Sequence, residues 1–335
     1  MNTSDPIVIV GMARTPIGGF QGVLKDVSGP ELGSSAIRAA LERSGVPAED
    51  IDEVLMGCVL PAGMGQAPAR QASLGAGIPD ATGCTTVNKM CGSGMKTTML
   101  AHDLLVTGTN EVMVAGGLES MSNAPYILPK ARSGQRLGHG QMLDHMFLDG
   151  LEDAFDKGKL MGVFAERTAK KYGFSRESQD EFAIRSLTRA KKAIEDGSFD
   201  AEVTPVTYKN RQGEVTVEQD EQPLTANLEK IPKLRPAFDK DGTVTAANSS
   251  SISDGAAALV MMRESTAKKR GLKPIARFLG HSSFAQEPAW FTTAPVSAIR
   301  KLLETVGWKA DDVDLYEINE AFAVVTMAAM KDLDL

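Results

Sequence analysis

The stretch AIRAALERSGVPAEDID, residues 36–52, decides the fold because this chain contains it twice. The second copy, AIRKLLETVGWKADDVD, occupies residues 298–314, and nine of the 17 ungapped positions are identical. Each copy reads as an amphipathic helix, a glycine that ends it, and an acidic turn leading into a strand. The two strands are predicted at Glu53–Met56 and Leu315–Ile318. The sequence therefore predicts a duplicated α/β unit whose copies lie 262 positions apart.

The first copy is followed by elements for which the second copy shows no counterpart. After it come a helical run at Thr97–Val106 and a strand at Glu111–Gly117. By the same offset the counterpart of Cys91 would fall at position 353, beyond Leu335. We therefore expect a truncated second half, with an apolar helix face at residues 322–330 left exposed.

The remaining residues alternate strands with helices. The sequence predicts a buried strand at Pro6–Val10, a helix at Ser175–Asp196 and an apolar strand at Gly255–Met262. Residues 121–149 show little periodicity and read as an irregular loop region. This alternation is typical of a layered α/β protein with buried sheets.

Composition narrows the class of protein. A chain of 335 residues with 42% hydrophobic and 24% charged residues is ordinary for a globular enzyme. Its net charge of −7 argues against general nucleic-acid binding. The sequence shows neither a membrane-spanning apolar run nor a secretory signal. Its three cysteines are too few for a disulfide framework, so we expect a cytoplasmic location.

Cys91 is the strongest candidate for chemistry. Glycine and serine residues follow it and lead directly into the helical run. Unpaired N–H groups at a helix start favour an anion, so this setting is expected to lower the thiol pKa and to favour a nucleophilic thiolate. The alternative is a small apolar side chain at a tight helix entry.

Several motifs in order resemble the thiolase family, most closely its biosynthetic acetyl-CoA acetyltransferase type, over essentially the whole chain. The motifs are Asn88–Gly94, Ala115–Ser122, Lys233–Phe238, Gly242–Asn248, Ser253–Ala257 and Asn319–Ala323. Each motif is modest alone, but the ordered set is specific.

The resemblance implies a fold and a division into domains. The fold is an α/β, five-layered αβαβα sandwich of two duplicated halves, the second incomplete, with an inserted loop domain. Residues 1–120 with 250–271 would form the first half, which carries the nucleophile. Residues 121–249 would form the loop domain for coenzyme A binding and tetramer formation, and residues 272–335 would begin the second half.

The resemblance also implies a reaction. Cys91 would accept an acyl group from one acyl-CoA, and a second acetyl-CoA would attack that thioester in a Claisen condensation, with thiolysis of a 3-ketoacyl-CoA as the reverse. Asn319 would hold a water that donates to the thioester oxygen of the incoming acetyl-CoA. The local alternative for Asn319 is a helix N-cap, and Glu320 reads as structural. The implied partners are acetyl-CoA and acyl-CoA substrates and further copies of the chain in a dimer or tetramer, with no cofactor, metal, nucleic acid or membrane.

The coenzyme A site is also implied by the resemblance. Ser250 matches a serine that binds the pantetheine arm. Apolar positions match the lining of the coenzyme A tunnel, with ordinary core packing as their alternative; they are Leu151, Met161, Phe238, Ala321 and Phe322. Leu160 and Leu224 stand where relatives carry His and Arg, which leaves acyl preference and coenzyme A affinity open.

Two family segments are not found in residues 1–335, namely the Gly-His-Pro segment with the activating His and the late Cys-x-Gly segment with the acid/base Cys. From this we expect the chain alone to be inactive. The alternatives are a non-catalytic coenzyme A- or acyl-binding fragment, a shortened pseudoenzyme, or a related condensing enzyme. A dinucleotide-binding oxidoreductase is disfavoured because residues 6–14 lack the glycine fingerprint.

Overall fold

The computed structural model describes residues 5–335. Its strands are β1 (Ile7–Arg14), β2 (Gly18–Gly19), β3 (Glu53–Gly57), β4 (Gly83–Val87), β5 (Val112–Ser120), β6 (Tyr126–Ile127), β7 (Leu143–Asp144), β8 (Val206–Asn210), β9 (Gly213–Val217), β10 (Ser253–Arg263) and β11 (Ala276–Phe278). Its α-helices are α1 (Gly29–Ser44), α2 (Pro68–Gly75), α3 (Ser93–Val106), α4 (Met161–Tyr172), α5 (Arg176–Glu195), α6 (Glu221–Thr225), α7 (Glu264–Lys269), α8 (Ala294–Val306) and α9 (Ala323–Leu333). A π-helical segment spans Met146–Leu151.

One mixed sheet organises the first half of the chain. Its strands run in the order β11-β1-β10-β5-β3-β4, and β2 pairs with β10. Strand β3 is parallel to both β4 and β5, whereas β10 is antiparallel to β1 and β5. The carboxyl ends of β3, β4 and β5 therefore meet at one edge of the sheet.

Helices cover both faces of this sheet. Helix α1 starts after Ser28, whose side chain forms a reciprocal capping box with Glu31. Its apolar face packs with α2 on one side of the sheet, where Leu32 and Ile37 are fully buried. Helix α3 covers the other side through Ala101 and Leu105. This layering confirms the predicted layered α/β class.

The helices α4, α5, α8 and α9 pack together beside the sheet. In α9 the residues facing these neighbours, including Val324, Val325 and Ala328, are buried. The prediction that residues 322–330 expose an apolar face is therefore wrong. The expectation assumed that the absence of a central strand in the second half would leave this face uncovered, whereas helices α4, α5 and α8 cover it.

The second copy of the repeat forms its helix, α8, and its acidic turn, a 3₁₀ segment at Ala310–Asp312. The strand predicted at Leu315–Ile318 is wrong, because these residues are irregular. Across residues 279–335 the structure contains no strand that could pair with them. Strand β11, from the start of the predicted second half, joins the first sheet beside β1. The predicted domain boundaries remain a prediction.

Candidate active site

A tight turn holds Cys91 between β4 and α3. Met90 adopts a left-handed backbone conformation, with φ of 49°. The Ser93 hydroxyl accepts from the Lys89 N–H at 2.9 Å and donates to the Met90 carbonyl at 2.6 Å. Cys91 is exposed, one residue before the N-cap Gly92. The predicted position at a helix entry is confirmed, and an exposed thiol there disfavours the apolar-packing alternative.

The close backbone approach at this turn depends on Gly57, at the end of β3. A Cβ at Gly57 would lie 2.6 Å from the carbonyl carbon of Ser93. At Gly92 and Gly94 an added Cβ would meet only ordinary van der Waals distances of 3.5 Å or more. Gly57 therefore allows the start of α3 to rest directly on the sheet edge.

A half-buried carboxylate lies at the same edge. Glu119, at the end of β5, accepts from the backbone N–H groups of Val59 at 2.8 Å and Leu60 at 3.0 Å. It also accepts from the Cys58 thiol at 3.5 Å. Burial raises the pKa of Glu119, against the lowering effect of these backbone donors. The parallel strand ends thus gather two thiols and one carboxyl group.

The two thiols are affected by this carboxyl group in the same direction. Burial raises the pKa of Cys58 to about 12, and the negative charge of Glu119 adds to the increase. Although the Cys91 residue is exposed, the protein around its sulfur removes part of the solvent that would stabilise a thiolate, and this desolvation raises the pKa of Cys91, with a smaller contribution from Glu119, while the N–H of Cys91 itself acts in the opposite direction. The predicted lowering of the Cys91 pKa is therefore wrong, because desolvation outweighs the helix N-terminus.

His145 is a further group that sequence reasoning missed. Its Nδ1 lies 2.6 Å from Asp149 Oδ2, one helical turn later. Its Nε2 is buried and has no hydrogen-bond partner in the described part of the chain. The charge of His145 lowers the pKa of Glu119, which relates this histidine to the sheet edge. Glu119 was also missed, although its position near the end of a strand in the parallel part of the sheet is a signal for a site residue.

Ser250 and Asn319 line one cavity of about 420 Å³. The chain segments that carry them run side by side, since Ser250 N–H donates to the Ala321 carbonyl and Ala323 N–H donates to the Asn248 carbonyl, both at 2.9 Å. The structure therefore brings these two predicted residues together. Cys91 does not line this cavity. Asp254, four residues after Ser250, pairs with Ser120 at the end of β5. The Cys91 turn and the cavity therefore lie at the same edge of the sheet, where β5 ends.

The local alternative for Asn319 is wrong. Helix α9 begins at Ala323 with Phe322 as its N-cap, so Asn319 lies outside the capping position. The neighbouring Glu320 carboxylate accepts a hydrogen bond from the Ser186 hydroxyl at 2.7 Å, as a structural role would require.

Four of the five apolar candidates belong to one hydrophobic cluster, which contains Met161, Phe238, Ala321 and Phe322. The rings of Phe238 and Phe322 meet edge to face, 6.1 Å apart. Leu151 lies outside this cluster, at the end of the π-helical segment. Leu160 precedes α4, and Leu224 lies partly exposed in α6.

Comparison with protein-family models matches the thiolase N-terminal domain to residues 7–265 and the thiolase C-terminal domain to residues 272–335. The chain belongs to the thiolase family. This result distinguishes a thiolase from the related condensing enzymes, and the protein is an enzyme of that family.

Curated relatives align along nearly all of this chain. A mitochondrial acetyl-CoA acetyltransferase B of Xenopus laevis is 48% identical over 335 residues, which are 99% of this chain and 79% of the relative. An acetyl-CoA acetyltransferase of Pseudomonas aeruginosa is 47% identical, over 98% of this chain and 84% of the relative. A cytosolic acetyl-CoA acetyltransferase of Gibberella zeae is 46% identical, over 100% of this chain and 85% of the relative.

These alignments span 98–100% of this chain and 79–85% of the relatives, and they give no support to the prediction of a truncated, inactive chain. Within residues 5–335, no helix combines the length and apolar character needed to cross a membrane.

Proposed function

We propose that this thiolase is an acetyl-CoA C-acetyltransferase that works through an acetyl-Cys91 intermediate. The names of its relatives support the substrate. The observation that carries the proposal is the exposed thiol of Cys91, held at the sheet edge that the Ser250 and Asn319 cavity also faces. A thioester can approach a nucleophile that is exposed at a strand-to-helix turn without any rearrangement of the fold.

The reaction has two acyl transfers. The Cys91 sulfur attacks the carbonyl carbon of acetyl-CoA, the thioester bond to coenzyme A breaks, and coenzyme A leaves as its thiol. A second acetyl-CoA then loses an α-proton, its α-carbon attacks the acetyl-Cys91 carbonyl, the bond between that carbonyl and the Cys91 sulfur breaks, and the sulfur ends with the proton lost from the α-carbon. The new carbon–carbon bond gives acetoacetyl-CoA and frees the Cys91 thiol. Thiolysis of a 3-ketoacyl-CoA follows the same steps in reverse.

The other site residues divide between these steps. Asn319 would position the water that donates to the thioester oxygen, where the enolate gathers charge. Ser250 would bind the pantetheine arm, and the cluster around Phe238 and Phe322 would cover its apolar part. The attack requires loss of the thiol proton, and desolvation raises the pKa of Cys91. Acylation should therefore speed up as pH rises.

Mass spectrometry after incubation with acetyl-CoA tests the first step. We expect one acetyl group on Cys91 and none in Cys91→Ser. The matched control Cys84→Ser should show undiminished labelling, since Cys84 lies near the start of β4, away from the carboxyl ends of the strands. Acetylation of Cys58 or Cys84 in place of Cys91 would overturn the assignment. Coenzyme A binding without any acetyl transfer would instead support the non-catalytic alternative.

The second step is tested separately with Asn319→Ala. Loss of one oxyanion donor typically costs about 10²–10³ in turnover. We expect a decrease of about 10² in acetoacetyl-CoA synthesis, while acetylation of Cys91 stays within a few-fold of the unchanged protein. Equal losses in both steps would place Asn319 in a structural role.

We also propose a homotetramer and a cytoplasmic location. Residues 121–149 form little regular structure, with exposed apolar side chains such as Leu137 and Met142, and such a surface favours association. The relatives carry both mitochondrial and cytosolic names, so the location is tested by fractionation. Light scattering that shows a stable monomer at micromolar concentration would exclude the tetramer.

A further inference from the structure

Three residues of metal-binding types meet beside α3, and none of them lines the Ser250 and Asn319 cavity. His102 and Asp103 lie in α3, and His281 follows β11. One oxygen of Asp103, Oδ1, lies 3.1 Å from His102 Nδ1 and 2.8 Å from His281 Nε2. Their potential ligand atoms all lie within 4.8 Å of one another, and no other such group occurs in residues 5–335.

Packing holds the two imidazoles in place. His102 is only 5% exposed and lies against the Phe278 ring, with 4.6 Å between ring centroids. The ring of His281 meets that of His102 at 86°, with 5.3 Å between centroids. A set of ligands restrained before binding loses little conformational entropy when it binds an ion.

The carboxylate supplies the negative charge that a cation needs. Asp103 Oδ1 lies within hydrogen-bonding distance of one nitrogen of each imidazole. The Asp103 side chain is nearly half exposed, which leaves a path for an ion and for a water ligand. The cluster therefore combines two fixed imidazoles, one ionised carboxylate and access from solvent.

We propose that His102, Asp103 and His281 form a binding site for a divalent transition-metal ion, with Zn²⁺ as the expected occupant. Two imidazoles and one carboxylate are a common ligand set for Zn²⁺, with water as the fourth ligand. Ligands at about 2.0–2.2 Å from a tetrahedral ion lie roughly 3.3 Å from one another. The two distances to Asp103 need to open only slightly to accept the ion, and the two imidazole nitrogens, which lie within 4.8 Å of each other, need to come to a similar separation.

Metal binding requires a defined tautomer of each histidine. His102 Nδ1 and His281 Nε2 would present lone pairs to the ion, so each ring would carry its proton on the other nitrogen. The hydrogen bonds to Asp103 are then replaced by metal–ligand bonds. The ion would tie the segment after β11 to α3, the helix that begins two residues after Cys91. Because an ion that binds only the folded chain stabilises it, the site would fasten the start of the second half to the first.

Titration calorimetry with ZnCl₂ on chelator-treated full chain tests the proposal. We expect one Zn²⁺ per chain and a rise in Tm on addition of ZnCl₂. Both His281→Gln and Asp103→Asn should weaken Zn²⁺ binding by at least about tenfold and remove the rise in Tm. The matched control is His139→Gln, which changes an exposed histidine in the loop region and should leave both readings unchanged.

Two further measurements separate this site from the active-site thiol. Cys91→Ser should keep full Zn²⁺ affinity, and Co²⁺ bound to the chain should show a spectrum without thiolate charge-transfer bands. Circular dichroism confirms that His281→Gln and Asp103→Asn are folded before their affinities are compared. The absence of Zn²⁺ binding, undiminished binding in both cluster variants, or loss of binding in Cys91→Ser would each overturn the proposal.

Discussion

The two copies of the repeat share a local structure and differ in their surroundings. Helices α1 and α8 both end at a glycine in the left-handed conformation, Gly45 with φ of 69° and Gly307 with φ of 74°. Each is followed by a 3₁₀ turn, at Ala48–Asp50 and at Ala310–Asp312. Helix, glycine cap and turn depend mainly on nearby residues, so similar sequences produce them in both places.

The difference begins at the strand. In the first copy β3 runs between β4 and β5, and Val54 and Met56 are fully buried. In the second copy residues 315–318 form no strand, and Leu315 is 90% exposed. A strand satisfies its backbone hydrogen bonds only with neighbouring strands, and within residues 279–335 the structure offers none. The comparison shows which parts of a repeat are local and which depend on the rest of the fold.

Matched core substitutions test this difference most strongly. Ile37, on the buried face of α1, is fully buried, whereas its counterpart Ile299 in α8 is only partly buried. We expect Ile37→Ala to lower the free energy of unfolding by about 2–5 kcal/mol, because it leaves a cavity in a closely packed core. Ile299→Ala should cost about 1 kcal/mol, in proportion to the smaller area that it buries.

Urea unfolding of both variants, followed by circular dichroism, measures the two costs. Equal losses would mean that the second copy is packed as tightly in solution as the first. Arg38→Ala and Arg300→Ala, at the next position of each helix, serve as controls for changes at the exposed surface.

The same distinction explains what could be predicted from the sequence. The helix predicted at Ser175–Asp196 was found at Arg176–Glu195, and Ser175 caps it by accepting from the Ser178 N–H at 3.2 Å. The strands β5 and β10, which pair with each other, were both predicted from their apolar sequences. Cys91 was found at the helix entry because glycine and serine residues mark such turns. These signals all lie within a few residues of the feature they predict.

Features that depend on distant contacts could not be predicted in this way. The burial of α9 comes from α8 and also from α4 and α5, which are far away in sequence. The direction of the Cys91 pKa depends on desolvation and on Glu119, which the fold brings to the same edge. The contact of Asp103 with His281 spans 178 residues. No local pattern contains this information.

The glycine caps provide a prediction of equality between the copies. A Cβ at Gly45 would meet only Leu272 Cδ2, at 3.9 Å, and a Cβ at Gly307 would meet nothing within 4 Å. Gly45→Ala and Gly307→Ala therefore add no steric clash, and each should cost about 1–2 kcal/mol from the left-handed backbone alone. Urea unfolding should give costs that agree within about 0.5 kcal/mol. A much smaller cost for Gly307→Ala would show that α8 unfolds separately from the first copy.

The smallest expected effect concerns the carboxylates near each copy. Glu119 is half-buried at the sheet edge of the first copy, whereas Glu320, beside the second copy, is exposed and accepts a hydrogen bond from Ser186. Since the charge of Glu119 raises the Cys91 pKa, Glu119→Gln should lower that pKa and increase the thiolate fraction at neutral pH. The larger thiolate fraction should speed alkylation of Cys91 by iodoacetamide by up to about threefold at pH 7. The difference should disappear at pH values above the thiol pKa, where both proteins carry the thiolate, and at acidic pH, where Glu119 itself is protonated.

Glu320→Gln is the matched control and should leave the alkylation rate unchanged at every pH. Should Glu119→Gln slow alkylation instead, its hydrogen bonds to Val59 and Leu60 would matter more to the turn than its charge does to the thiol.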